Sequence, residues 1–431
     1  MAQTQLKNDV PTVKNTIVNA YQDIYDQYVV EASFLWLLRS IAIEQPHYNK
    51  QEILELENRV EAQLDGLLTA PDDAWQACLT ALELEEPGEV FTATVVAFKS
   101  HDMDKISKAV KVGLSNGDAE KGLISALGWL PGNLVHSWIK KFFTSKDLNH
   151  KYLALCACSI RRENPSDYLN RILDRDDCKE NIKLYARALR IIGELRRQDL
   201  MQYLTDALVH DNEEIKFWAI WSLILLGHHQ QVSQLESYVL SENPNQKHAI
   251  NIAFRVLPIE QAREWISKLS NIKSQTRTVI QATGILGDPH AVNWLILKMK
   301  EMVNARLAAQ SFYFITGIDL VSNGLIGEDK NHLISQPDDL EGDNDLSLDE
   351  DENLPWPDYE KVSAMWMNCG NRFVAGQRYF LGQAISADTL KNNIRNGNQR
   401  QIHAAALELA LTHSEMPMQN TRARVIMQGG Q

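Results

Sequence analysis

Apolar positions recur at intervals of three and four along most of this chain. Val13, Ile17, Tyr21, Ile24 and Tyr28 form one such face, and Phe34 to Leu38 predicts a further helix ending near Pro46. Gln51 to Leu68 reads as another helix, and Pro71-Asp-Asp73 opens the next. Alternating Val/Ile/Thr runs joined by hairpin dipeptides are absent, so the pattern predicts an all-α fold.

The middle of the chain repeats. Apolar runs end at Leu130, Leu195, Leu226, Leu257 and Leu286, each just before a turn, in steps of 65, 31, 31 and 29. The first step is two periods, and its unmatched turn falls at Arg161-Arg-Glu-Asn-Pro165. Eight residues beyond four of these leucines lie Trp138, Tyr203, Trp265 and Trp294; Gln234 takes the fifth place. A helix, a tight turn and an antiparallel helix with an aromatic two turns in make one HEAT-like unit. Such a unit cannot bury its apolar face alone, so successive units stack into an α-solenoid. Asp288-Pro289 suits a helix start, with Asp as cap and Pro in the first turn.

The repeat stops at Phe314 to Leu320. Between Pro337 and Glu352 there are nine acidic residues and no basic one, which predicts a solvated flexible linker. The expected organisation is an N-terminal helical region (1–100), a repeat solenoid (101–318), an acidic linker (319–354) and a C-terminal helical region (355–431) with helices over Thr389 to Ile394 and Gln401 to Leu411.

Charge narrows the partners. With 43 Lys+Arg against 56 Asp+Glu, the net charge of −13 opposes a main role in coating nucleic acid or anionic lipid. The longest apolar stretches, such as Phe217 to Leu226, are far shorter than the ~20 residues of a bilayer span, and Met1 to Val10 lacks the apolar core of a signal peptide. A cytoplasmic protein is expected, with its five cysteines reduced and mostly buried.

Seven segments, in order, carry a resemblance: Glu31 to Arg39, Arg59 to Leu67, Ala126 to Pro131, Ile315 to Asp319, Leu354-Pro-Trp-Pro-Asp358, Gly376-Gln-Arg-Tyr-Phe-Leu-Gly382 and Ala404 to Ala410. Together they resemble an uncharacterised bacterial family of HEAT-repeat proteins whose genes are often found with type VI secretion components. The likeness runs from about residue 30 to about 425. It implies a context of contractile-injection machinery and its effectors, and no particular activity.

Candidate chemistry is sparse. The chain has no G-x-S-x-G, P-loop, H-E-x-x-H or kinase set. Cys156 and Cys158 fall on different helix faces without a second ligand pair, so they read as small buried hydrophobes rather than a zinc site. His228-His229 reads as exposed turn residues, and the acidic run lacks the EF-hand order. No catalytic residue, metal or cofactor is expected. Lys183, Arg187, Arg190 and Arg197 are spaced to share a helix face, as a salt-bridged surface or as a basic groove for an acidic partner. Trp356, between Pro355 and Pro357, sits on a stiff extended segment; it docks the C-terminal region onto the solenoid or anchors a partner.

The expected function is a non-enzymatic protein-binding scaffold. The resemblance makes it a type VI secretion accessory protein, an adaptor or chaperone for an effector or spike component. An immunity role against a toxin needs only the same kind of surface. Two alternatives stand beside it: an enzyme of bilin-lyase type, because Gly287-Asp-Pro-His-Ala-Val292 resembles the repeat of those lyases and implies a tetrapyrrole, and a nucleic-acid binder using the basic stripe.

Overall fold

In the computed structural model, residues 13–329, 350–413 and 417–428 are described, with side chains from residue 22. The fold is an all-α solenoid of helical hairpins, and it divides into two compact units: Met1–Ala42, Gln51–Arg161 and Ala423–Gly430 form the first, Ile43–Lys50 and Arg162–Arg422 the second.

The first unit contains α1 (Val13–Ala42), α2 (Lys50–Leu67), α3 (Pro71–Ala81), α4 (Pro87–Lys99), α5 (Met103–Gly113), α6 (Gly117–Trp129), α7 (Gly132–Thr144) and α8 (Leu148–Arg161). The two helices expected before Pro46 are one 30-residue helix, because Val29-Val-Glu-Ala-Ser33 holds no breaker between the two apolar runs. This helix packs on α3 and α4: Trp36 stacks on Phe91 with ring centroids 5.3 Å apart, Ser33 and Thr92 share a hydrogen bond of 3.1 Å, and the Trp36 indole donates to Ser125 at 2.9 Å. The chain's last described residues return here. Arg39 donates to the carbonyl of Ala423, the amide of Val425 donates to Glu57, and Arg424 lies over Trp129 and pairs with Glu61 at 2.9 Å. Arg39 and Glu57 are themselves a buried pair at 2.8 Å.

In the second unit, five helices form one row: α11 (Ile182–Glu194), α13 (Glu213–Leu225), α15 (Gln246–Val256), α17 (Thr276–Leu286) and α19 (Met302–Thr316). The other row is α9 (Asp167–Asp174) with α10 (Asp176–Glu180), α12 (Met201–Ala207), α14 (Glu236–Leu240), α16 (Ile259–Ser270) and α18 (Val292–Lys298). The turn leucines mark the helix ends: Leu130, Leu195, Leu226 and Leu257 directly follow α6, α11, α13 and α15, and Leu286 closes α17. Helix starts keep the same register. Asn116, Asn181 and Asn212 cap α6, α11 and α13 by accepting from backbone amides. Of the anchor aromatics, Trp265 is fully buried, while Trp138, Tyr203 and Trp294 are half-buried.

The expected linker, 319–354, lies outside the described residues from 330 to 349. Its ends are packed: Leu320 and Leu325 join the core under α18 and α19, and Asp351 and Leu354 are buried. Leu354-Pro-Trp-Pro357 runs antiparallel to Leu325–Gly327, with the Gly327 amide donating to the Trp356 carbonyl at 2.8 Å. Beyond it come α20 (Tyr359–Cys369), a small hairpin of β1 (Tyr379–Phe380) and β2 (Gln383–Ala384), α21 (Ala387–Asn396) and α22 (Gln399–Thr412). The hairpin is a departure from the helix-only expectation, made possible by Leu381 and Gly382, both at positive φ in a two-residue turn.

That hairpin lies on the solenoid's turns. The Tyr379 amide donates to the Gly287 carbonyl at 2.8 Å, and the Leu381 and Gly382 amides donate to Phe314 and Ile315. Gly287 has φ +74°, and a Cβ there would sit 2.2 Å from the Tyr379 carbonyl oxygen. Gly287→Ala should therefore lower stability by about 1–3 kcal/mol in a denaturant titration. Gly117→Ala, where a Cβ meets nothing within 4 Å, should leave the midpoint unchanged or raise it.

Candidate functional site

Each helix of the α11, α13, α15, α17 and α19 row presents one turn of side chains to the same side. Arg190, Trp221, Asn251, Gln281 and Gln310 follow one another in steps of 31, 30, 30 and 29, and all line a single cavity of roughly 620 Å³ inside the second unit. The opposite wall is the C-terminal region: Arg378 to Phe380, the α22 residues Arg400, His403, Ala404 and Glu408, and Met418 to Arg422, joined by Glu44 and Gln45.

A buried carboxylate fastens the two walls. Glu408 is 2% exposed; Arg378 donates to both its oxygens at 2.9 and 2.8 Å, and Arg255 of α15 approaches at 3.4 Å. The same Arg378 donates to the carbonyls of Leu286 and Arg255. Burial lowers the Arg255 guanidinium to about 10, against the attraction of Glu408, so it stays charged at neutral pH. Three further clasps join the walls. Arg400 donates to the Glu44 carbonyl, Gln310 and the Glu350 carbonyl, while His403 bridges the Thr421 hydroxyl and the Ile43 carbonyl at 2.7 Å each. Arg422 grips Glu44 with two nitrogens.

The predicted basic stripe is divided. Arg187 and Arg190 meet at Glu194, at 3.1 and 2.9 Å, with Arg162 joining from the preceding turn at 3.4 Å. Glu194 is 2% exposed, so three guanidiniums surround one buried carboxylate. Arg197 does not share that face. Helix α11 ends at Glu194, and Arg197 turns to Asp199, Asn164 and Asn170 instead. Lys183 is exposed near the start of α11. Trp356 is 7% exposed and lies under the Arg306 guanidinium at 4.8 Å, so its indole is turned into the second unit.

Within the cavity, Arg190 rests over Trp218 at 4.3 Å and reaches Trp221 at 5.7 Å. Its Nε is spent on Glu194, while its two terminal nitrogens find no hydrogen-bond partner among the described residues. His248, beside Trp218 at 5.3 Å, likewise makes no hydrogen bond among the described residues. The residue is exposed at the cavity, and desolvation, then the charges of Arg190, Arg422 and Lys247, push its pKa down to about 4. The walls carry six cations, Arg190, Lys247, Arg255, Arg378, Arg400 and Arg422, against four carboxylates, Glu44, Glu350, Asp351 and Glu408.

Sequence reading found Arg190 and missed the rest. The usable signal was the repeat itself: Arg190, Trp221 and Gln281 each stand five residues before a turn leucine, and Asn251 stands six before. The five cysteines are buried, and no group of three His, Cys, Asp or Glu residues among the described residues could hold a metal ion. No described helix is long and apolar enough to cross a membrane.

Residues 167–255 match the family model of HEAT repeats, the stretch that contains α9 to α15 and half of the cavity's helical wall. No curated protein and no solved structure gives a significant match to the chain.

Removing the buried charge tests the enclosure. Glu408→Gln leaves two guanidiniums facing each other out of water and should cost about 3–5 kcal/mol in a denaturant titration. His248 provides a pH test. Its folded pKa lies below the ordinary 6.5, so it favours the folded state above that value and loses the advantage as pH falls toward about 4. His248→Gln should therefore flatten the decline in melting temperature between pH 6.5 and 4, seen by scanning calorimetry against the unmodified protein.

Proposed function

We propose that this chain is a protein-binding scaffold that serves type VI secretion as an adaptor or chaperone for an effector or spike component. HEAT repeats are commonly protein-interaction scaffolds, and the order of motifs from Glu31 to Ala410 resembles a family found with that machinery. The observation that carries the binding role is on α1. Val30, Phe34 and Leu37, at 64%, 61% and 45% exposure, follow one another at four and three residues and form an apolar stripe facing solvent. A stripe of this kind suits the groove of a partner or the apolar face of a partner helix. The protein's acidic charge sets a further condition, favouring a partner with a basic rim around its apolar centre.

The alternatives have less support. Gly287 and Asp288, the start of the bilin-lyase-like repeat, already have structural work: Gly287 makes a left-handed turn under β1, and Asp288 pairs with Arg263 and accepts from the amides of His290 and Gly376. Arg187 and Arg190, the centre of the supposed nucleic-acid stripe, are engaged with Glu194.

Affinity capture of the tagged protein from its own host, followed by mass spectrometry, tests the proposal. Spike, adaptor or effector proteins should co-purify with the unmodified chain and be depleted with Phe34→Asp, whose exposed ring can be replaced at a stability change of about 0.5 kcal/mol or less. Recovery of no secretion component, or equal recovery with the variant, would overturn the reading or its surface respectively.

A further inference from the structure

The cavity of the second unit has no part in that reading, and its chemistry is specific. At roughly 620 Å³ it has the size of a small-molecule site. Part of its lining is apolar, with Ile250, Ile285, Leu307, Phe314, Phe380 and Ile385. Three polar groups facing it hold hydrogen-bonding capacity that no described residue uses: the terminal nitrogens of Arg190, the ring of His248 and the amide of Gln281. They come from three different helices, α11, α15 and α17, with Arg190 and Gln281 at the same position of the repeat.

We infer that this cavity is a binding site for a small amphipathic anion, a molecule of one carboxylate, sulfonate or phosphate on an aromatic or aliphatic body. Arg190 supplies the charge. Its Nε is tied to Glu194, and Trp218 supports its plane, so the guanidinium is fixed with its free edge available to an anion. The cations on the walls outnumber the carboxylates by six to four, which disfavours a cationic ligand, although the chain as a whole is strongly acidic. Gln281 and the neutral His248 can each donate or accept, so they suit the ligand's remaining polar atoms. A structural void filled by water would need no such pairing of a fixed, partly unspent arginine with an apolar lining.

The probe is 8-anilinonaphthalene-1-sulfonate, an aromatic monoanion whose fluorescence rises on leaving water, and its control is N-phenyl-1-naphthylamine, which has the same body without the charge. The native full chain should bind one sulfonate probe per molecule, saturably, and the neutral control at least about tenfold more weakly, the value of one charge-assisted hydrogen bond. Arg190→Gln should weaken the sulfonate at least about tenfold and leave the neutral control unchanged. Because Arg190 also pairs with Glu194, a second variant leaves the charges alone: Ala404→Phe, on the opposite wall, fills the cavity and should abolish binding of both probes. Non-saturating binding, equal affinity for the two probes, or sulfonate binding unchanged by Ala404→Phe would each overturn the assignment.

Discussion

Glu408 is the charge on which the second unit depends. A carboxylate this far from water is tolerable only with cations in contact, and here one arginine comes from the solenoid and the other from the hairpin that covers it. Arg378 then spends its remaining donors on carbonyls at the ends of α15 and α17. A single carboxylate on α22 thereby helps to fix the distance between the two walls, beside the apolar contact of Phe314 with Phe380, and the space left between them is the cavity. The glycine turns at Gly287 and Gly317 serve the same arrangement, because only a residue without a side chain lets the hairpin backbone come so near.

Much of the fold could be read from residue order. The turn leucines gave the ends of five helices because the position before an inter-helix turn is buried on both sides and rejects polar residues; four of the five are less than 5% exposed. The same register held the asparagine caps and the cavity-facing positions, but those are polar, and polarity in a helix reads as solvent exposure unless something covers it. What covers it is the region after the acidic stretch, separated from the solenoid by many residues, and no local pattern shows where such a segment lies. Trp356 carried two readings from its sequence, docking of the C-terminal region onto the solenoid or a partner anchor. Flanking prolines do stiffen the segment, yet the indole faces inward because Arg306 and the strand-like run at Leu325–Gly327 receive it. Arg197 fell outside the predicted stripe by one turn, since Arg196 at positive φ ends the helix geometry before it.

The two units cover their repeat helices differently. In the second unit the side formed by α11, α13, α15, α17 and α19 faces the protein's own C-terminal elements. In the first unit the position equivalent to the cavity-facing row is Ser125, five residues before Leu130, and the Trp36 indole already fills it. In the first unit a helix packs at this position; in the second a hairpin, a helix and arginine clasps border a cavity.

The charge inside that cavity follows from the way it is closed. Two buried carboxylates gather more than one guanidinium each, two at Glu408 and three at Glu194, and of these arginines Arg190, Arg255 and Arg378 line the cavity. Arginine suits this use because its five donors can satisfy a carboxylate and a carbonyl at once, so it ties a helix end as well as a side chain. The surplus positive charge is therefore a by-product of fastening. An acidic exterior does not cancel it, since surface carboxylates are screened within a Debye length of about 8 Å at physiological salt. A surplus that begins as architecture thus leaves a site with a fixed preference for anions, and the unspent edge of Arg190 is where that preference is most concentrated.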